Sequence, residues 1–293
     1  MRGSEPASLA APCPMATLFV DQLTVIDCAV LDAERGLVGA SWIVDLELHG
    51  TLDEQGMVFD FGRVKRKLRD AIEAVADHRL LVPARHSAVR VDSGGGDLVV
   101  QMDTVRGRIR HRSPPGAVAL LPAERIDETA LVSALQAAAI ASVPGNVAGV
   151  DIALRTERIA GASYCYVHGL RKHEGLCQRI AHGHRSRLEI EIDGLRSEAV
   201  ERQWAERWRD IYLGSREDLE DEAGDRLLFA YTAGEGAFEL ELPAAHCDLI
   251  EAESTVEQIA AHLAERVAAE HPGQRVRVRA YEGVNKGAIA LRG

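Results

Sequence analysis

Residues 42–48 alternate without a break. Trp42, Val44, Leu46 and Leu48 fall on one face, and Ile43, Asp45 and Glu47 on the other. A period of two predicts a half-buried strand. Residues 17–25 read as a strand before it. A turn at 52–56 is followed by a short strand over 57–61. The period then changes. Apolar residues at 64, 68, 72 and 75 predict a helix over 62–78. Residues 88–91 and 98–102 flank Ser93-Gly94-Gly95-Gly96 as a hairpin. A helix over 128–146 stops at Pro144-Gly145, and residues 147–157 form a strand ending in glutamate.

The order then begins again. Strands are expected at 162–168 and 184–192, where Leu188, Ile190 and Ile192 alternate with Arg187, Glu189 and Glu191. A helix is expected over 197–213. A hairpin turns at Gly234-Glu235-Gly236, matching the one at Gly94–Gly96. A further helix over 254–274, capped by Ser254 or Thr255, again stops at Pro-Gly, and a strand over 275–282 again ends in glutamate. The pattern predicts a tandem duplication with its boundary near Ala160: repeats over 16–160 and 161–293, with a disordered leader expected over 1–15 and Met15 an alternative start.

Composition narrows the class. The 293 residues are 46% apolar, enough for a substantial core, and the formal charge is −11. That balance argues against nucleic acid or an anionic membrane as partner. No apolar run reaches the ~18 residues of a membrane span, and the leader lacks the apolar stretch of a signal peptide. Five scattered cysteines suit a cytoplasmic protein with free thiols.

The chemistry concentrates in residues 168–184. In a strand, residues i and i+2 face the same way, about 6–7 Å apart, so His182 and His184 can bracket one ion. They share the parity of Leu188 and Ile190 and so point to the buried face. His168 ends the preceding strand, and the loop over 169–181 can return the chain so that all three histidines face one ion. Three histidines leave a coordination position open, the pattern of catalytic zinc. Cys177 lies on the same loop, and His173 is expected to be solvated.

These residues resemble the 6-pyruvoyl-tetrahydropterin synthase and 6-carboxytetrahydropterin synthase family, built on the T-fold. Tyr164-Cys165-Tyr166-Val167-His168, then Cys177, then His182-Gly183-His184 resemble its aromatic strand, cysteine loop and His-Gly-His. Asp77-His78 resembles its Asp-His motif, and AYEGVNKGA, with Glu282, its pterin-gripping strand. The resemblance spans nearly the whole chain in two copies. It implies an α+β fold, each repeat an antiparallel sheet with two helices on one face, assembling into a barrel-like homo-oligomer such as a trimer of tandem units.

The copies differ. In the first, the zinc histidines align with Ala29, Val38 and Ala40, while Asp77-His78 and Glu157 remain. The second keeps the zinc ligands and Cys177, but its Asp-His position drifts to Asp210-Ile211, with His246 a poorer candidate. The expectation is one composite site per chain. The resemblance implies a Zn2+-dependent lyase acting on 7,8-dihydroneopterin triphosphate. Cys177, Asp77 and His78 would be catalytic, and Glu157 or Glu282 would bind the pterin. Arg171, Lys172, Arg179 and Arg185 are candidates for the triphosphate. Cys13, Cys28, Cys165 and Cys247 have no assigned role. A 6-carboxytetrahydropterin product of the queuosine-precursor branch leads. A 6-pyruvoyl product, a non-catalytic pterin- or purine-binding T-fold with structural zinc, and an aldolase-like reaction on pterins are the alternatives.

Overall fold

A computed structural model describes residues 15–58 and 60–293. The expected leader over 1–15 therefore lies outside the described residues except for Met15, which opens the first strand. The first half contains β1 (Met15–Asp32), β2 (Gly36–Thr51), α1 (Phe61–Ala76), β3 (Leu80–Pro83), β4 (Val89–Asp92), β5 (Leu98–Thr104), β6 (Gly107–Ser113), β7 (Val118–Leu121), α2 (Glu128–Ser142) and β8 (Val147–Arg155). The second contains β9 (Ser163–His168), β10 (His182–Ile192), β11 (Leu195–Arg196), α3 (Glu198–Arg207), β12 (Ile211–Ser215), β13 (Leu219–Ala223), β14 (Arg226–Ala233), β15 (Gly236–Pro243), β16 (Cys247–Ile250), α4 (Val256–Glu270), β17 (Val276–Tyr281) and β18 (Gly287–Arg292).

Each half builds the same mixed sheet. The strand order β7-β3-β1-β2-β8 is matched by β16-β12-β9-β10-β17, with β18 added at the edge. In both, the two long strands are antiparallel and the short strand after the helix joins the first in parallel. A third sheet, β13-β14-β15-β6-β5-β4, is shared, with β6 and β15 paired across the two halves. The architecture is that of a tandem T-fold, α+β in each half.

Burial follows the predicted faces. In α1, Val64, Leu68, Ile72 and Ala76 are buried, and Asp60 caps the helix by accepting from Gly62 N. In α2, Leu131, Leu135 and Ala139 are buried under an Asp127 cap. One core lies between the first sheet and these helices, and another between the second sheet and α3 and α4. A middle core takes residues from both halves, including Leu80, Val100, Val167, Tyr212, Phe229 and Leu240. The halves also meet backbone to backbone. A Cβ on Gly39 would lie 2.0 Å from the Tyr166 carbonyl oxygen, and one on Gly183 would lie 2.7 Å from Gly39 Cα.

Four expectations are corrected. Residues 57–61 form no strand among the described residues: Asp60 is already the cap of α1. The helix expected over 197–213 ends at Arg207, and Ile211–Ser215 enters the sheet as β12. The β14–β15 hairpin corresponds to β5–β6, not to the hairpin at Gly94–Gly96, since β6 and β15 pair across the halves. Finally, register places Val30, not Ala29, at the position of His168. Val30 pairs with Val38 as His168 pairs with His182, while Cys28 pairs with Ala40 as Tyr166 pairs with His184.

Candidate active site

His168 ends β9, while His182 and His184 open β10, so antiparallel register sets His168 directly opposite His182. All three are buried. His168 Nδ1 lies 2.9 Å from the Ser254 carbonyl oxygen, and His182 Nδ1 lies 2.9 Å from that of Arg179. A carbonyl only accepts, so both rings carry their proton on Nδ1 and turn a bare Nε2 inward. His184 Nδ1 lies 3.2 Å from Asp27 Oδ1, close but too far off line for a good hydrogen bond, leaving its Nε2 inward as well.

Three ligand atoms, one per ring, therefore lie within 4.8 Å of one another. His182 Nε2 is buried without a partner, and His184 Nε2 stands 3.2 Å from His168 Nε2. Converging lone pairs repel unless a cation sits between them. Burial, reinforced by the neighbouring rings, pushes His168 and His182 well below the usual histidine range, keeping them neutral. The donor set fits a zinc-like ion: three imidazole Nε2 atoms turn inward, and behind each ring stands an oxygen, hydrogen-bonded at His168 and His182 and 3.2 Å away at His184.

The first half contributes from the other side. Asp77 closes α1, and His78 follows it with φ 53°. This left-handed conformation, uncommon for a non-glycine residue, is held by His78 N donating to the Asp27 carbonyl at 2.7 Å. Asp77 Oδ2 lies 2.8 Å from His78 Nδ1. The His78 ring stacks on His182 with centroids 5.0 Å apart, and His78, Cys177 and His182 bring their reactive atoms within 4.8 Å. Burial alone would lower the His78 pKa, but hydrogen bonds to Asp77 and Cys177 outweigh it and raise it to about 10. Asp77, His78, Cys177 and the three histidines thus converge within one chain.

Cys177 sits on a short turn over Leu176–Gln178 in the loop 169–181. The hairpin β14–β15 pins that turn: Tyr231 OH donates to the Gln178 carbonyl, and Glu235 N donates to Gln178 Oε1. Of the expected triphosphate residues, Arg179 is buried and paired with Glu235, while Arg171 and Lys172 are paired with Glu217. Arg185 donates to the Glu157 carbonyl. His173 is exposed on the loop.

The two glutamates part company. Glu282 Oε1 stands 3.9 Å from His184 Nε2. Glu157 instead faces Arg187 at 3.5 Å and has its other carboxylate oxygen buried without a partner. Sequence reasoning missed Asp27, Ser41, Ser254 and Lys286. Asp27 accepts from Ser41 Oγ at 2.5 Å, and Lys286 Nζ lies 3.5 Å from Asp27 Oδ2. Burial would raise the Asp27 pKa, but His184, Lys286 and Ser41 hold it at about 2. The available signal was a charge inside the apolar run VIDCAV.

The corresponding place in the first half is closed. Its loop between β1 and β2 is only three residues, 33–35, against thirteen, 169–181, between β9 and β10. Asp210, with φ 56°, takes the place of His78, since Leu80 and Tyr212 pair at matching points of β1 and β9. Its buried carboxylate is held by Arg35 at 2.5 Å and Arg106 at 3.5 Å, with His246 lining the same small cavity. Among the described residues no helix is long and apolar enough to cross a membrane.

No curated protein matches the sequence. Among solved structures, a catalytic-residue mutant of Plasmodium vivax 6-pyruvoyltetrahydropterin synthase is 19% identical, covering 48% of this chain and 91% of that one, with a TM-score of 0.40. The Plasmodium falciparum 6-pyruvoyl tetrahydropterin synthase is 18% identical, covering 48% and 90%, with a TM-score of 0.34. The family model described as 6-pyruvoyl tetrahydropterin synthase matches residues 32–92 and 159–292, one segment in each half. The first segment contains Asp77 and His78, and the second runs from before His168 to beyond Glu282, so the chain belongs to the 6-pyruvoyl tetrahydropterin synthase family.

Proposed function

We propose that this chain is a zinc-dependent lyase converting 7,8-dihydroneopterin triphosphate to 6-carboxy-5,6,7,8-tetrahydropterin, a precursor on the queuosine branch. The observation that carries the proposal is the meeting of Asp77-His78 from the first half with Cys177 and His182 from the second. His168, His182 and His184 would hold the zinc, which when bound would supply Lewis acidity toward the substrate's side-chain oxygens. Cys177 takes a proton from the substrate. His78, charged at neutral pH and oriented by Asp77, delivers one. Glu282, beside the histidine cluster, accepts the pterin N–H donors, and Glu157 is left to Arg187.

Residues 16–160 and 161–293 are the two units of this enzyme. The sheet edges β8 and β18, the latter exposing Ile289 and Leu291, support pairing between copies in a homo-oligomer. A small-molecule substrate and free thiols fit a cytoplasmic enzyme.

The test is incubation of zinc-loaded protein with the triphosphate and identification of products by mass spectrometry. Acetaldehyde with the 6-carboxy product supports the proposal, and a 6-pyruvoyl product moves the chain to the biopterin-type reaction. Unchanged substrate with stoichiometric zinc would leave a binding protein. His78→Ala and Cys177→Ala should each lower turnover by about 10²–10⁴-fold while retaining metal, whereas His182→Ala should lose the metal. Turnover surviving His78→Ala would overturn the composite site.

A further inference from the structure

The metal-less half contributes more than Asp77 and His78. Asp27 lies in the middle of β1, at a point where the strand is otherwise apolar, and is 3% exposed. A buried carboxylate is retained only where partners offset its desolvation. Asp27 Oδ1 faces His184 Nδ1 at 3.2 Å and accepts from Ser41 Oγ at 2.5 Å. Ser41 Oγ in turn accepts from Arg185 N, the residue after His184, at 3.0 Å. Lys286 Nζ approaches Oδ2 at 3.5 Å, and Gly283 closes the remaining side, where a Cβ would lie 2.6 Å from Oδ1.

The main chain of the same residue holds the other half-site. Asp27 N donates to Asp77 Oδ1 at 3.0 Å, and the Asp27 carbonyl accepts from His78 N at 2.7 Å. The side chain of one residue thus bears on an inward-facing histidine, while its backbone fixes the Asp77-His78 pair.

His168 and His182 are backed by carbonyls of their own half, Ser254 and Arg179. The carboxylate behind His184 comes from the other. We propose that Asp27 is the positioning residue of the centre: it sets the orientation and basicity of His184 toward a bound metal and locks Asp77-His78 in register with it. The metal site of the second half is then completed by the first. This rests on the reading of the three histidines as a metal centre. A carboxylate behind a ligating imidazole fixes the ring and strengthens it as a donor, and its loss typically weakens metal binding about 10–100-fold.

The experiment is titration of the metal-free full-length protein with Co2+, read by its visible absorption, in wild type, Asp27→Asn, His184→Ala and the double variant. Asp27→Asn should bind about 10–100-fold more weakly, with an altered spectrum. In the His184→Ala background it should have little further effect, since the two act as one unit. Thermal unfolding of the metal-free forms separates this from a folding defect. Ser41→Ala, which removes the hydrogen bond to Asp27 Oδ1 without touching the charge, should weaken binding in the same direction but less. It carries the test if Asp27→Asn fails to fold. Wild-type affinity and spectrum in Asp27→Asn, or an equal loss in the presence and absence of His184, would overturn the proposal and leave the metal centre standing. A wild type that takes up no Co2+, or a His182→Ala variant that binds it as tightly, would overturn both.

Discussion

His111 is buried on β6 opposite Leu240 of β15, with Nδ1 lacking any partner. Burial pushes its pKa down from 6.5 to about 4. The folded-state value lies below the unfolded one, so the neutral ring favours folding fully above pH 6.5. That contribution is lost as pH falls from 6.5 toward 4, amounting to about 3 kcal/mol. His111→Leu, which matches Leu240 across the pair, should reduce the loss of stability over this range in the metal-free protein, as read by urea unfolding. At this scale much of the site was legible. A period of two put His182 and His184 on one face, and the strand end supplied His168. Asp27 was not, because only the fold brings residue 27 beside residue 184. Nor could sequence choose between Glu157 and Glu282, which follow the equivalent strands β8 and β17 and differ in what faces them.

Among the elements, the connection between the two long strands decides which half has a site. Thirteen residues after β9 make room for the Cys177 turn and its anchorage on Tyr231 and Glu235. Three residues after β1 leave room only for Arg35, which reaches Asp210. Arg35→Ala would leave a fully buried carboxylate with Arg106 alone, at a distance of 3.5 Å. An expected loss of about 1–3 kcal/mol follows from an under-partnered buried charge, moderated by the half-exposed arginine. Asp210→Asn combined with Arg35→Ala should recover part of it, as measured by denaturant midpoint. The same region explains a misread element. Residues 197–213 keep helical composition to their end, but Asp210 turns left-handed. Ile211, Tyr212 and Leu213 are all buried, so they lack the alternation that marks a strand with one wet face.

For the whole molecule, the duplicated rhythm of strand, strand and helix was visible in the sequence because each half repeats its own periodicities. The joint between the halves was not. It depends on Gly39 and Gly183, each allowing close backbone approach, and on a middle core drawn from both halves. Glycines report a close approach only once the partner is known. The shared sheet across β6 and β15 was hidden for a related reason: β6, GRIRHRS, alternates, but its inward positions are Gly107, Ile109, His111 and Ser113, so a single large aliphatic residue is all that marks its buried face.

That joint has a genetic consequence. Asp77-His78 and Cys177 face each other inside a single polypeptide. Two inactive alleles, one carrying His78→Ala and the other Cys177→Ala, should therefore fail to rescue each other when co-expressed, even within one assembly. Recovery of turnover in the mixture would show that working sites are built between polypeptides. Without it, the coding sequence behaves as one indivisible cistron, in which a lesion in either half disables the cluster that both halves build.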